Sequence, residues 1–538
     1  MEPTKQAKDL FKGALILTVA ALVMKVLSAI YRVPFQNIVG DVGFYIYQQV
    51  YPFYGMALIL STYGFPVVIS KLYVETGEQR GREDQRQLIV ISSLFLTVLG
   101  IGFFSLFYFG AEWLAGIMGD KELAVIMKVL AVIYLFFPAI SLLRGVFQAT
   151  GDMLPTAVSQ VSEQTVRVST ILIASTVLIQ KGMSLYIVSS GAMFGSITGG
   201  LISVLVLLTF LVYRKRGEET NFLNLPSITW RKSLLIIKKL SIEGFAISIS
   251  SMLLIFLQMA DSFNFFSLLL SQGVEGEEAK VLKGVYDRGQ PLIQLGTIVA
   301  TSLSLSLVPL ITSAKLKEDV EFLKNKVRLA LQVSVFIGVA ATAGLFSIIK
   351  PTNIMLFENT DGSHVLAVMS LVILLSSLIL TITAILQGLG YALFPAFVIF
   401  VSFFLKLILN WLLIPNYGAL GGAIASNVTL VVILFMLMSK LRMVMKVRFV
   451  TVKFIQTILL GALSMIVFLK GYLLITNGLY STGSQVRFMA TFQALSAVIL
   501  GGFIYIYVVL RGHVFKKEEL SLLPFGSKLI ALLPKNRR

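Results

Sequence analysis

Fourteen stretches of the chain are mainly apolar, and polar or basic residues separate them. They cover 10–33, 43–71, 87–110, 123–149, 154–180, 184–213, 234–270, 285–313, 325–349, 363–388, 393–414, 418–440, 453–476 and 485–510. About 20 apolar residues suffice to cross a bilayer as a helix, so the pattern predicts an all-α polytopic membrane protein with about 14 transmembrane helices. The seventh stretch is overlong, which predicts tilt, a bend or an extension beyond the bilayer. The N-terminal KQAKDLFKGALILTVAALV has the charge order of a signal peptide. It lacks a clear small-residue cleavage site, and its apolar run continues past Lys25 to Pro34, so it reads as a retained first span.

An internal repeat organises these spans. Tyr47 and Pro52 match Tyr286 and Pro291, and Gln148 and Gly151 match Gln387 and Gly390, all at an offset of 239 residues. GAMFGSI at 191–197 is echoed by GALGGAI at 418–424, at an offset of 227. Spans one to six thus correspond to spans seven to twelve, and an even repeat keeps both lobes in one orientation. Parallel repeats of this kind bind at the lobe interface and rock between inward- and outward-open states. The expected organisation is an N-lobe over 1–213, a basic cytoplasmic linker over 214–233, a C-lobe over 234–440, two added spans within 441–511 and a basic tail over 512–538.

Composition agrees with a lipid environment: 57% of residues are hydrophobic and 13% charged, with a mean hydropathy of +0.87. A net charge of +18 could suggest nucleic acid, but the cations cluster between spans, where membrane topology needs them. On the side of the two termini 32 lysines and arginines fall, against 8 on the other. Basic loops stay inside, which predicts cytoplasmic termini. The tail FKKEELSLLPFGSKLIALLPKNRR reads either as an amphipathic segment drawn to anionic membrane lipids or as a solvated tail. There is no cysteine, and His364 and His513 lie far apart, so neither thiolate metal sites nor metal or other cofactors are expected. No P-loop, HExxH or GxSxG occurs, which argues against an enzyme.

Charges inside spans are costly and mark substrate or ion paths. They are Lys25, Glu163, Arg167, Asp261, Asp287, Arg288 and Lys406, four bases against three acids, a balance that favours an anion. Lys128 is near enough to the outer surface to snorkel. Glu163 and Arg167 read either as a self-neutralising i,i+4 pair or as part of a substrate path. Arg288 reads either as a local partner of Asp287 or as a site residue, and Asp261 as a helix–helix tie or a cation-coupling group. Adding 239 to Arg167 gives Lys406, which has no acid within four residues. Each lies 13 residues into its span, roughly 20 Å deep at 1.5 Å per residue. The pair is therefore expected to face across the lobe interface. Tyr31, Tyr45, Tyr47, Tyr51, Tyr54 and Tyr63 read as an interfacial belt or as sugar-stacking rings.

YRVPFQNIVGDVGFYIYQQVYP and STYGFPVVISKLYVETGE resemble the polysaccharide-biosynthesis branch of the MOP flippase superfamily. The likeness is to the stage V sporulation protein B group and, more distantly, to MurJ-type lipid II flippases. It implies export of an undecaprenyl-pyrophosphate-linked saccharide, such as a peptidoglycan precursor, across a bacterial plasma membrane. It also implies a central cationic cavity with basic residues on spans one and eight, and a groove for the lipid tail at spans thirteen and fourteen. Lys25 matches the first span-one position and Arg288 the span-eight position. At the second span-one position Tyr31 stands instead, with Arg32 one residue later. The expected pyrophosphate ligands are Lys25, Arg32, Arg167, Arg288 and Lys406, with Glu163, Asp261 and Asp287 balancing charge or coupling to Na+, H+ or membrane potential. A monomer is expected to suffice. A multidrug exporter of the same superfamily would instead want an acidic cavity for cationic cargo. A non-transporting envelope or sporulation scaffold would want soluble docking domains, and a glycosyltransferase an acidic metal motif.

Overall fold

The computed structural model describes residues 5–215, 229–298, 320–446, 451–477, 485–512 and 514–515, and among these it is helical without strands. The basic segment 216–228, the later part of the eighth span and the tail beyond 515 lie outside them. Ten helical segments are long and apolar enough to cross a membrane. Two of these are double. Ile16–Gly77 leaves the helix at Gly40 (φ 70°), and Leu393–Met445 does so at Gly418 (φ 55°). Leu154–Gln180 is long enough as well, but its polar run lowers its hydropathy. With the eighth span, described over 289–298, the helices accommodate the expected fourteen crossings.

In chain order the helices begin α1 Lys5–Ile30, α2 Arg32–Ile59, α3 Phe65–Arg80, α4 Arg82–Phe109, α5 Ala111–Ile117, α6 Leu123–Ala131, α7 Ile133–Ala149, α8 Leu154–Gln180 and α9 Leu185–Lys215. They continue with α10 Trp230–Lys239, α11 Phe245–Ser251, α12 Leu253–Ser271 and α13 Gly276–Asp287. The overlong seventh span proves to be bent. It comprises α10, a π-turn at Leu240–Gly244, α11, a break at Met252 and α12. Another π-turn, Leu60–Gly64, joins α2 to α3. Its cause is local: Pro66 has no N–H to offer Thr62, and the Phe65 N–H bonds Leu60 O instead. The Ser61 carbonyl is thereby released from the helix ladder.

The chain groups into two compact units, Met1–Asp287 with Ala392–Pro415, and Arg288–Tyr391 with Asn416–Arg538. This grouping cuts the chain elsewhere than the repeat does, because residues 392–415 pack with the first unit. In that unit α8 and α9 lie unusually close. Gly191, Gly195 and Gly199 recur every fourth residue on α9, a small-residue ridge that admits a neighbouring backbone. A Cβ on Gly195 would stand 2.8 Å from Arg167 O, and one on Gly199 2.8 Å from Glu163 O. The second unit has an apolar core of Leu329, Val333, Phe454, Ile458, Met465 and Tyr505. Tyr505 donates to Phe336 O at 2.8 Å.

The repeat is visible in its turns. Gly151 and Gly390 both close a helix with left-handed backbone (φ 77° and 89°), which glycine adopts without a Cβ clash. Their N–H groups bond Gln148 O at 3.1 Å and Gln387 O at 2.9 Å, so the QxxG pair is one turn used twice.

Candidate functional site

The first span carries further than its apolar run suggests. Pro34 cannot bond Ile30, which accounts for the brief break at Tyr31, but Phe35 N still bonds Tyr31 O at 3.0 Å and the helix runs on to Gly40. Arg32, which the charge count places on the outer side, is therefore carried into the interior and is fully buried. Tyr47, Tyr51 and Tyr54 follow on α2 at i, i+4 and i+7, one helical face. With Tyr31 they are also buried. They form neither a lipid-facing belt nor an open stacking platform. They enclose two guanidinium groups.

Arg167, from α8, donates through Nη2 to the hydroxyls of Tyr31 and Tyr47, each at 3.0 Å, and through Nη1 to Gln164 Oε1 at 3.2 Å. Its guanidinium lies 4.1 Å from the Tyr54 ring centroid and 5.7 Å from that of Tyr51. Arg32 lies over the other ring, 4.2 Å from the Tyr51 centroid. Its Nε, Nη1 and Nη2 find no hydrogen-bond partner among the described residues, nor does Arg167 Nε. Two cations thus share one aromatic enclosure, and among the described residues neither forms a salt bridge. Cation–π contacts are worth ~2 kcal/mol when desolvated. Buried donors ordinarily have acceptors, so this enclosure has unused capacity for an anion.

Of the two readings of Glu163 and Arg167, the self-neutralising i,i+4 pair does not form. Glu163 accepts instead from Arg144 Nη2 of α7 at 2.7 Å, and both side chains are buried. Arg144 also reaches Ser159 Oγ, Thr62 Oγ1, Ser203 Oγ and the Ser61 carbonyl freed by the π-turn. An arginine with its five donors engaged on three other elements, the π-turn, α8 and α9, outcompetes one that faces tyrosines. Arg144 is absent from the in-span charges read from the sequence because it lies near the end of an apolar stretch, where a basic residue reads as part of the following loop. Its one signal was the neighbouring small polar positions, such as Ser141.

Lys406 is fully buried as expected, but it has an acid. Its Nζ is 3.0 Å from Asp261 Oδ1. Asn410, one turn beyond Lys406, donates to Asp261 Oδ1 and Asn264 Oδ1 at 2.9 Å each, and Tyr286 donates to Asp261 Oδ2 at 2.9 Å. Nearby on α13, Lys283 holds both oxygens of Asp287, at 2.6 and 2.7 Å. Asp287 therefore does not pair with Arg288. Lys283 stands four residues away on the same helix face, whereas Arg288 points about 100° around the axis. Lys283 is buried too. Lys406, Asp261, Lys283 and Asp287 sum to zero charge, and Asp287 lies within electrostatic range of Asp261 and Arg32.

Arg288, in the second unit, donates to Asn359 Oδ1 at 2.6 Å and lies 5.1 Å from the Phe357 ring centroid. Lys25 stands seven residues before Arg32, two turns along one face of the first span and about 10 Å away along the axis. It is half-buried. The structure thus brings Arg32 and Arg167 together around Tyr51 and gives Lys406 its own partners. Among the described contacts no side chain touches both Arg167 and Lys406.

The profile of the family described as polysaccharide biosynthesis protein matches residues 10–315. The uncharacterized membrane protein YabM of Bacillus subtilis is 43% identical over 97% of this chain and 96% of its own length. From the same organism, lipid II flippase MurJ is 26% identical over 78% of this chain and 80% of its own, and stage V sporulation protein B is 26% identical over 97% and 99%. A solved structure of lipid II flippase MurJ in an inward closed conformation shares the fold, with a TM-score of 0.66 at 15% identity over 93% of this chain and 100% of its own.

Proposed function

The chain belongs to the polysaccharide biosynthesis protein family, within the MOP flippase superfamily, and from that premise we propose that it flips a polyprenyl-pyrophosphate-linked saccharide from the inner to the outer leaflet of a bacterial plasma membrane. The cargo is a peptidoglycan precursor of the lipid II kind, in line with what the MurJ relative is named for. The observation that carries this reading is the pair Arg32 and Arg167, fully buried in one tyrosine enclosure without a carboxylate partner among the described residues. A pyrophosphate supplies the missing negative charge. Arginine can fork two phosphate oxygens at once, and a low local dielectric strengthens the attraction. Lys25, on the same face as Arg32, extends the basic path along the first span. The head group crosses by alternating access while the lipid tail stays in the bilayer, with both termini cytoplasmic.

Cationic cargo fits less well. The buried acids such a carrier would offer, Asp261 and Glu163, are each held by a basic side chain, at 3.0 and 2.7 Å.

The test is flipping in vesicles by the purified protein, comparing lipid II with other polyprenyl-linked glycans. Arg32→Gln and Arg167→Gln are each expected to lose a charged hydrogen bond worth roughly 1.5–3 kcal/mol, lowering substrate affinity about tenfold to a hundredfold, with membrane abundance near normal. Unimpaired flipping by both variants would overturn the assignment of the enclosure, and transport of no polyprenyl-linked glycan would overturn the function.

A further inference from the structure

Tyr31 and Tyr47 do more than wall the enclosure. Both hydroxyl oxygens accept from a single nitrogen, Arg167 Nη2, at 3.0 Å each, and they lie 3.1 Å from one another. Two adjacent oxygens facing a guanidinium are what a phosphate group would present to it. We propose that these two hydroxyls are internal stand-ins for the substrate's phosphate oxygens. They occupy Arg167 while the carrier is empty and give it up when a pyrophosphate enters. The proposal rests on the flippase reading above and deepens it by naming the positioning residues that let one site both bind and release.

An empty carrier must change conformation without its cargo, and a buried guanidinium with no acceptor is costly. A carboxylate would solve that problem too firmly. Arg144 with Glu163 and Lys406 with Asp261 show such ties, charge against charge in buried surroundings. A phenol oxygen is neutral, so the charged guanidinium holds it less tightly than it holds an ionised acceptor, where charge meets charge. Exchanging the Tyr31 and Tyr47 oxygens for phosphate oxygens is therefore downhill, and on release the phenols return. Arg32 has no such stand-in. Its three nitrogens make no hydrogen bond among the described residues, and the Tyr51 ring face covers it, with Tyr31 and Tyr47 within electrostatic range. It is the open half of the site, ready for the first phosphate, and Arg167 is the guarded half.

The experiment uses the full-length protein with both hydroxyls removed, Tyr31→Phe with Tyr47→Phe. Binding is measured with farnesyl pyrophosphate, which has the charged group and no saccharide, and transport with lipid II in vesicles. The empty state loses two hydrogen bonds from Arg167 to neutral oxygens that the bound state does not use. Affinity for farnesyl pyrophosphate should rise about five- to thirtyfold, and the maximal flipping rate should fall as release slows. A purely architectural role would weaken binding and thermal stability together, and hydroxyls that themselves donate to the phosphate would weaken binding in a stable protein. Either result, or an unchanged affinity, would overturn the proposal. If the double variant does not fold, Tyr47→Phe alone carries the test, with half the gain on a logarithmic scale. A wild-type protein that binds neither probe, while the variants unfold normally, would sink the flippase reading itself.

Discussion

The tyrosine enclosure and the cluster around Asp261 are both buried and both rich in charge, yet they are built on opposite rules. Around Asp261 every charge has its opposite: Lys406 at 3.0 Å, and Lys283 against Asp287 at 2.6 Å, with Asn410 and Tyr286 satisfying what remains of the carboxylate. Around Tyr51 the direct contacts of the two arginines among the described residues are neutral, the oxygens of Tyr31, Tyr47 and Gln164 and the ring faces of Tyr51 and Tyr54. The first arrangement closes itself and binds helices together. The second leaves an excess of two positive charges that the protein stabilises only partly. A membrane protein keeps such a deficit where something from outside makes it good. Burial of charge alone did not distinguish the two regions, and partnership did.

The largest effect expected from this contrast lies in the closed cluster. Removing one member of a buried ion pair strands the other, at about 3–5 kcal/mol. Asp261→Ala should therefore unfold in detergent at a markedly lower temperature, more so than Lys406→Ala, since it strands Lys406 and also takes the acceptor from Tyr286 and one of the two acceptors from Asn410. The double change Lys406→Met with Asp261→Leu removes both charges and should recover most of the loss. Thermal unfolding of the three variants decides it. If Asp261→Ala were as stable as wild type, or the double variant no better than the worse single one, the cluster would not be a structural tie.

A smaller effect is expected at Glu163. Because its partner is Arg144 rather than Arg167, Glu163→Gln weakens one charged hydrogen bond, worth about 1.5–3 kcal/mol of stability, and leaves the enclosure untouched. Substrate affinity in the folded variant should equal that of wild type, as titration with farnesyl pyrophosphate would read. A change in affinity beyond twofold would tie Glu163 to the site after all.

These pairings mark how far the sequence could be read. The helical class, the count of crossings and the repeat followed from hydropathy and from the QxxG turns, because both depend on local periodicity. That Arg167 and Lys406 are buried followed too. Their partners did not, because partners come from other helices: Asp261 is separated from Lys406 by 145 residues of chain, and Glu163 from Arg144 by 19. Some traces were there. Lys406 and Asn410 share a helical face, as do Asp261 and Asn264, and polar residues at helical spacing within apolar spans point toward each other. Likewise Tyr47, Tyr51 and Tyr54 fall on one face, and the GxxxGxxxG ridge of α9 announces a close neighbour. Arg32 was the harder case, since a proline two residues on suggested the end of a span where the helix in fact continues.

The smallest expected effect tests how the enclosure divides its labour. Tyr31 and Tyr47 use their hydroxyls on Arg167, whereas Tyr54 offers its ring, 4.1 Å from the guanidinium, and its own hydroxyl has no partner among the described residues. Tyr54→Phe keeps the ring and discards an unsatisfied polar atom, so stability should be unchanged or slightly raised and flipping should stay within twofold of wild type. Tyr54→Leu removes the ring face as well and should cost ~0.5–2 kcal/mol in stability, with a corresponding loss of order around Arg167. The two substitutions thus separate face from hydroxyl at one position, as Tyr47→Phe does at another. A Tyr54→Phe variant impaired as strongly as Tyr54→Leu would mean that the hydroxyl contacts the substrate, and the division between ring-bearing and oxygen-bearing tyrosines would have to be abandoned.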